Sequence, residues 1–435
     1  MKKLLFIWGE LKATFWFIPV IIIITSILLS IGLVYLDGHI SLPQNSITRF
    51  FFVNSPDSAR SILSTISAAM MGVAGTVFSI TLVVLTLASS QFGPRLIKNF
   101  MYVRLNQIVL GAYISTYLYC LLVLNAVQDY NDYTFIPSIS IIVAILAAIT
   151  NIILLIVFIH NIAISLQADK VVSNISAFIS NQVETLFPEK LEEEKLIEKN
   201  INISTEFSVY QYRISVKSPK SGYLQYIDTE DLIELLTKKN SLMELYHRPG
   251  AHLVEGLEIG MIYSNDNWDK DDFEKFNSKF EIGKIKTAQQ DLEFSIHQIV
   301  EIALRAISPG INDPYTAIAC IDNLTAIMSY LAQAKFPSKY LFDEDGNLRV
   351  IADKFEFEGI LDAAFNQIRQ FSAGMPAVII RLMESLTTIN KFTINENQKI
   401  AVKKHAEMIL RIGKETIKEE HDLQDLIKRS NKIIN

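Results

Sequence analysis

The sequence predicts a polytopic α-helical membrane protein: four transmembrane helices, then a cytosolic α+β region in which a small β domain precedes a mainly helical domain. Three observations carry that expectation. Four long stretches hold no charged residue, lying between Lys12 and Asp37, Arg60 and Arg95, Arg104 and Asp129, and Asp132 and Asp169. Each is long enough to span, because about 20 residues rising about 1.5 Å apiece cross a hydrocarbon core of about 30 Å. Charge then changes sign along the chain: residues 1 to 164 hold eight Lys/Arg and five Asp/Glu, a net +3, and the remainder holds 32 and 41, a net −9. Finally, the apolar period drops to about two after about residue 205 and becomes helical after about residue 267.

The transmembrane domain is assigned to residues 1–164, with helices at about 14–36, 61–90, 105–127 and 136–160. The start, "MKKLLFIWGELKATFWF", has the positive front of a signal peptide. Its apolar run from Thr14 to Leu36 is too long for one and lacks a small-residue cleavage site, so it reads as a retained first span. Lys2, Lys3 and Lys12 precede this span, Arg95, Lys98 and Arg104 fill the second loop, and the third loop, "VQDYNDYTF", has neither Lys nor Arg. The positive-inside rule then puts both termini and everything after residue 165 in the cytosol. The first loop faces outside, where Phe50, Phe51 and Phe52 read either as an interfacial segment or as a loop packed over the helix ends.

The second span, "SILSTISAAMMGVAGTVFSITLVVLTLASSQFGPRL", is the most informative. At about 100° per residue, Ala68, Gly72, Gly75, Ser79, Thr86 and Ser90 fall in a narrow arc that Ser61 and Ser64 extend and only Leu82 and Val83 interrupt. Lipid does not select such a stripe, since a lipid-facing position gains nothing from a hydroxyl or a missing side chain. One reading is a packing seam where small residues let backbones approach. The other is a pore wall, repeated around a ring of subunits, with Leu82 and Val83 as a constriction that gates by dewetting. No Asp, Glu, Lys or Arg lies within any span, which disfavours ion-coupled transport and leaves a passive pore open.

Residues 165–204 are expected to continue as a helical extension, and 205–265 to form the small β domain. Its "RPGAHLVEGLEIGMI" is similar to the turn-and-strand pattern of biotinyl/lipoyl-like barrel-sandwich domains, with Gly250 and Gly256 at the matching turns and no Lys at the carrier tip. From 266 to 435 the chain is mainly helical. The helix "QDLEFSIHQIVEIALRAIS" sets Glu293, His297, Glu301 and Arg305 on one face at spacings of four, which favours a ladder of alternating charges over a metal site. In "RAISPGINDPYTA", Pro309 and Gly310 stop this helix, and Asn312 or Asp313 suits the N-cap of the next, with Pro314 at its first position. A helix start also attracts anions, but Asp313 opposes one, so the segment reads as a corner. "DEDGN" lacks the further ligands of a calcium loop.

No Walker loop, dinucleotide turn or nucleophile elbow is found, so no enzyme activity, cofactor or metal is expected. The acidic soluble half argues against nucleic acid as a partner. Cys120 and Cys320 are too far separated in context to pair.

Residues 58 to 100 together with "QDLEFSIHQIVEIALRAISPGINDPYTA", residues 290 to 317, resemble the DUF2254 family of predicted bacterial membrane proteins. The resemblance implies this topology and a bacterial inner-membrane home. It also implies that the position of His297 is commonly Arg and that of Glu301 an acid, which weakens the metal reading further. Two functions are expected from different classes: a homo-oligomeric passive ion or small-solute channel lined by the second span, or a non-conducting scaffold or sensor whose cytosolic domain binds a ligand or protein. The partners expected are the lipid bilayer and further copies of the chain.

Overall fold

In a computed structural model the chain divides into two compact units, Met1–Lys170 and Val171–Asn435. The described residues are 14–39, 55–93, 104–130, 133–165, 167–190 and 203–434. Lys2, Lys3, Lys12, Phe50, Phe51, Phe52, Arg95 and Lys98 lie outside them.

Among the described residues, the first unit holds four helices apolar and long enough to cross a membrane: α1 (Phe17–Asp37), α2 (Pro56–Phe92), α3 (Arg104–Ala126) and α4 (Ser138–Ser165). A short antiparallel hairpin, β1 (Gln128–Tyr130) with β2 (Tyr133–Phe135), joins the last two. The least apolar of the four, α3, is also the most buried. Three of its polar side chains find partners on another helix. Tyr113 Oη donates to the Asn151 carbonyl at 2.6 Å, Tyr119 Oη donates to the Ser140 carbonyl at 2.9 Å, and Thr116 Oγ1 accepts from Asn151 Nδ2 at 2.9 Å. Polar groups in hydrocarbon must be satisfied inside the protein, so these bonds fix α3 against α4. Gly111 does the same for α1. A Cβ there would stand 3.0 Å from both Ile22 Cδ1 and Pro19 Cα, so the missing side chain is what lets the two helices approach. The carboxylate of Asp37, the last residue of α1, accepts from Ile139 N at 2.8 Å and from Ser140 N and Oγ at 3.0 and 2.7 Å, capping the open start of α4.

The second unit takes in all but the first turn of α5 (Ala168–Leu186), then the short α6 (Ile203–Ser208), and continues into two sheets. Five strands are ordered β3-β7-β5-β10-β9: β3 (Tyr212–Lys217), β7 (Glu258–Ser264), β5 (Ser241–Leu245), β10 (Leu348–Ile351) and β9 (Tyr340–Phe342). Three more are ordered β6-β4-β8: β6 (His252–Leu253), β4 (Gly222–Ile227) and β8 (Phe280–Gly283). Helices α7 (Thr229–Lys238) and α8 (Lys270–Asn277) pack their apolar faces into the same core, which joins Leu232, Leu236, Met243, Ile262, Trp268 and Phe276 with Val350. The presence of Val350 marks a difference from the sequence-based expectation. Strands β9 and β10, inside the stretch 266–435 expected to be mainly helical, complete the larger sheet, and β10 pairs parallel to β5 through Val350 with Met243 and Ile351 with Glu244. Parallel pairing joins strands distant in sequence, so it leaves no local signal.

The helices α9 (Leu292–Ala306), α10 (Pro314–Gln333), α11 (Phe357–Phe371), α12 (Pro376–Asn390), α13 (Glu396–Thr416) and α14 (Glu420–Ile434) fill the rest of the unit. Each buries one stripe, as Ile360, Leu361, Ala364, Phe365 and Ile368 do on α11. Both cysteines are buried, and neither is in a disulfide.

Candidate membrane path and the soluble corner

Helix α2 is built to begin sharply. Ser55 caps it by accepting from Ser58 N at 3.2 Å, Pro56 occupies the first turn, and Asp57 faces the positive end of the dipole. Its 37 residues at about 1.5 Å each make a rod of about 55 Å, against a hydrocarbon core of about 30 Å. A tilt of up to about 40° does not absorb that surplus. Two successive clusters show how it packs: Ala59 and Leu63 join Tyr119, Cys120 and Val123 near the end of α3, and Met70, Ala74 and Val77 join Val109 and Tyr113 nearer its start. The remaining turns of α2 therefore run on past the beginning of α3.

The face α2 gives to its own unit is Ala59, Leu63, Ser67, Met70, Ala74, Val77, Thr81, Val84, Ala88 and Phe92, all buried. The stripe of small residues is a different face. Ala68, Gly72, Gly75, Ser79, Leu82, Val83, Thr86 and Ser90 are all exposed, Leu82 by 48% and Val83 by 59%. A Cβ built at Gly72 or Gly75 meets no atom within 4 Å. Thr86 Oγ1 and Ser90 Oγ donate to carbonyls of their own helix, Leu82 O at 2.9 Å and Leu87 O at 2.8 Å. Among the described residues of one protomer, the stripe is thus not a packing seam.

In the second unit, α9 starts at Asp291, whose Oδ1 accepts from Phe294 N at 2.9 Å while Oδ2 is buried 3.5 Å from Lys286 Nζ. Gly250, at φ +101°, presses on this carboxylate, and a Cβ there would lie 2.3 Å from Oδ2. Of the residues aligned on α9, Glu301 and Arg305 pair at 3.6 Å, and His297 is exposed. Glu293 turns instead to Arg248, whose Nη2 lies 2.6 Å from its Oε1. Arg248 also reaches Asp353 Oδ2 at 3.1 Å and stacks its guanidinium 4.8 Å from the centre of the Phe355 ring. Sequence spacing shows the acid but not this partner, because Arg248 sits on a turn 45 residues away.

At the corner, Asp313 is the N-cap of α10. Its Oδ1 accepts from Thr316 N at 3.1 Å and its Oδ2 from Thr316 Oγ1 at 2.6 Å. Asn312 has the complementary role, taking the left-handed conformation at φ +51° so that its N–H reaches Ser308 O at 2.9 Å. The carboxylate fills the space over the helix start that an anion would need.

Three buried titratable side chains escaped the sequence reading. Arg349 and Asp343, nearly inaccessible, meet at 2.7 Å, and Arg349 Nη1 continues to Asn240 Oδ1 at 3.1 Å. His405 is fully buried on α13 with Nε2 3.0 Å from Asp362 Oδ1. Periodicity marks these positions only as inward-facing, and the partners come from other elements.

The model of the family described as "Predicted membrane protein (DUF2254)" matches residues 12–388. Among curated relatives, the uncharacterized proteins Rv1290c of Mycobacterium tuberculosis and Mb1321c of Mycobacterium bovis are each 29% identical over 381 residues, covering 86% of this chain and 72% of theirs. No solved structure matches.

Proposed function

The chain belongs to the DUF2254 family of predicted membrane proteins, and from that premise we propose that it forms a homo-oligomeric passive channel for ions or small solutes, with α2 lining the path. The observation that carries this reading is the outward aspect of the stripe from Ala68 to Ser90, which no part of its own protomer covers among the described residues. Small residues and hydroxyls have two physical uses in a membrane, close helix approach and contact with water. On an outward face both need further copies of the chain. In a ring of subunits the stripe supplies hydroxyls and bare backbone along the path, and Leu82 and Val83 form an apolar constriction toward one end of the helix. Lys2, Lys3 and Lys12 before the first span and Arg95, Lys98 and Arg104 of the second loop support a bacterial inner membrane with both termini in the cytosol. The soluble unit then assembles and regulates the ring without a catalytic step.

The test is Leu82→Ser in protein reconstituted into vesicles. A polar side chain at a dewetting constriction lowers the barrier to water, so basal ion leak is expected to rise at least about tenfold, the equivalent of about 1.4 kcal/mol. Unchanged leak from a correctly assembled variant overturns the conduction path and leaves the membrane-anchored scaffold or sensor as the reading to pursue.

A further inference from the structure

Helices α1, α3 and α4 do not close completely on one another. Between them lies a cavity of about 300 Å³, lined from the middle of α1 and of α3 and from the first half of α4. Two contacts hold α1 and α3 together beside it: Gly111 lets α3 approach Pro19 and Ile22, and Ser26 Oγ donates to the Ser115 carbonyl at 2.9 Å. The lining side chains are short at Thr25 and Ser26 on α1 and at Ala147 on α4, so the space between the helices stays unfilled. Its mouth lies along α1, where Ile21 and Leu29 are 47% and 46% exposed.

The chemistry of the wall selects the occupant. Among the described residues, no charged side chain lines the cavity. Five lining residues carry hydroxyls, and four of them donate within the bundle: Thr25 Oγ1 to Ile21 O, Ser26 Oγ to Ser115 O, Ser115 Oγ to Ala112 O and Tyr119 Oη to Ser140 O, each at 2.9 Å. The fifth, Thr116 Oγ1, accepts from Asn151 Nδ2. A held water needs roughly two to four polar partners, and these donors are already spent. We propose that the cavity holds an acyl chain of a bilayer phospholipid. Its volume is twice the ~150 Å³ that admits benzene to an apolar cavity, so it takes a chain segment of on the order of a dozen carbons. The driving force is contact and not escape from water. A chain in the bilayer is already in hydrocarbon, but the helices around a void forfeit dispersion contacts until a chain fills it. The site does not depend on conduction, since α2 contributes none of its described residues to the cavity.

The experiment places the full chain in phosphatidylcholine nanodiscs doped with a phosphatidylcholine that carries a photoreactive diazirine on its acyl chain, and maps the adducts by tandem mass spectrometry. Ser115, Thr116 and Tyr119 are only 6%, 5% and 3% exposed, so a chain passing over the outside of the protomer does not reach them. Adducts on these three are expected in the wild type. They are expected to be lost from Thr25→Phe and from Ala147→Phe, which fill the cavity from different helices, while adducts on the exposed Ile31 and Ile156 persist in both. Thr25 is exposed and its hydroxyl is bonded within its own helix, so Thr25→Phe keeps the fold even if Ala147→Phe does not. A wild type without adducts on Ser115, Thr116 or Tyr119, as when a second copy of the chain seals the mouth, overturns the site. Adducts there that survive the filling variants overturn it equally.

Discussion

Asp343 illustrates how much a single buried charge depends on its partner. Burial raises the pKa of its carboxyl, but hydrogen bonds from Arg349 and Asn347 outweigh that effect and hold it at about 2. The folded value lies below the ordinary unfolded value of about 3.9, so the stabilisation is complete above that pH and is lost as pH falls toward about 2. Asp343→Ala strands the Arg349 guanidinium, whose side chain is 6% exposed. A loss of about 3–5 kcal/mol is expected in urea unfolding followed through the buried Trp268, and a loss below about 1 kcal/mol would show that the arginine finds water or another acceptor. His405 loses stability in the same direction, as a group held neutral rather than charged. Burial lowers its pKa against the pull of Asp362, while Arg369 and Lys404 add to the lowering. The unfolded chain therefore takes up the proton first, and stability falls as pH drops through about 6.5. The melting temperature of the wild type is expected to decline between pH 7 and pH 5.5, and His405→Gln to flatten that decline.

At the scale of elements, two glycines of the first unit make opposite predictions. Gly111→Val forces a branched side chain against Pro19 and Ile22, so α1 and α3 separate and the detergent-solubilised protomer loses about 1–3 kcal/mol of stability. Gly72→Leu meets nothing in the protomer, so its melting temperature stays unchanged while assembly or conduction is blocked. Normal assembly with normal flux in Gly72→Leu would remove the stripe from the mechanism. The helices of both predictions are legible in the sequence because absence of charge is a local property, and the four spans stand within a few residues of their expected places except where α2 and α4 extend further. Which face of α2 turns outward is not legible, since both faces mix small and apolar residues and only the position of α3 separates them. The same limit governs the second unit. Capping at Asp313 follows from its immediate neighbours, whereas the strand pair β5 and β10, the clamp of Arg248 on Glu293 and the burial of His405 all rest on residues far apart in the chain.

At the scale of the whole molecule, the channel reading stands on subunit number. Native mass spectrometry of the protein in nanodiscs is expected to return a closed ring of four or more copies, because fewer copies of α2 do not enclose a path. A monomer or dimer would move the function to a scaffold or sensor. Within each copy, the cap that Asp37 places on α4 has a consequence for biosynthesis. The carboxylate and the amide of Ser140 are separated by 103 residues. At a synthesis rate of about 5–20 residues per second, roughly 5–20 s pass between the birth of the acceptor and the arrival of its donors. During that interval the charged end of the first helix must stay hydrated at the membrane surface, and it leaves water only when the last helix is delivered. Closure of the bundle thus reports completion of the membrane unit, and a nascent chain arrested before residue 138 is expected to keep Asp37 open to solvent and to any factor that surveys unfinished membrane proteins.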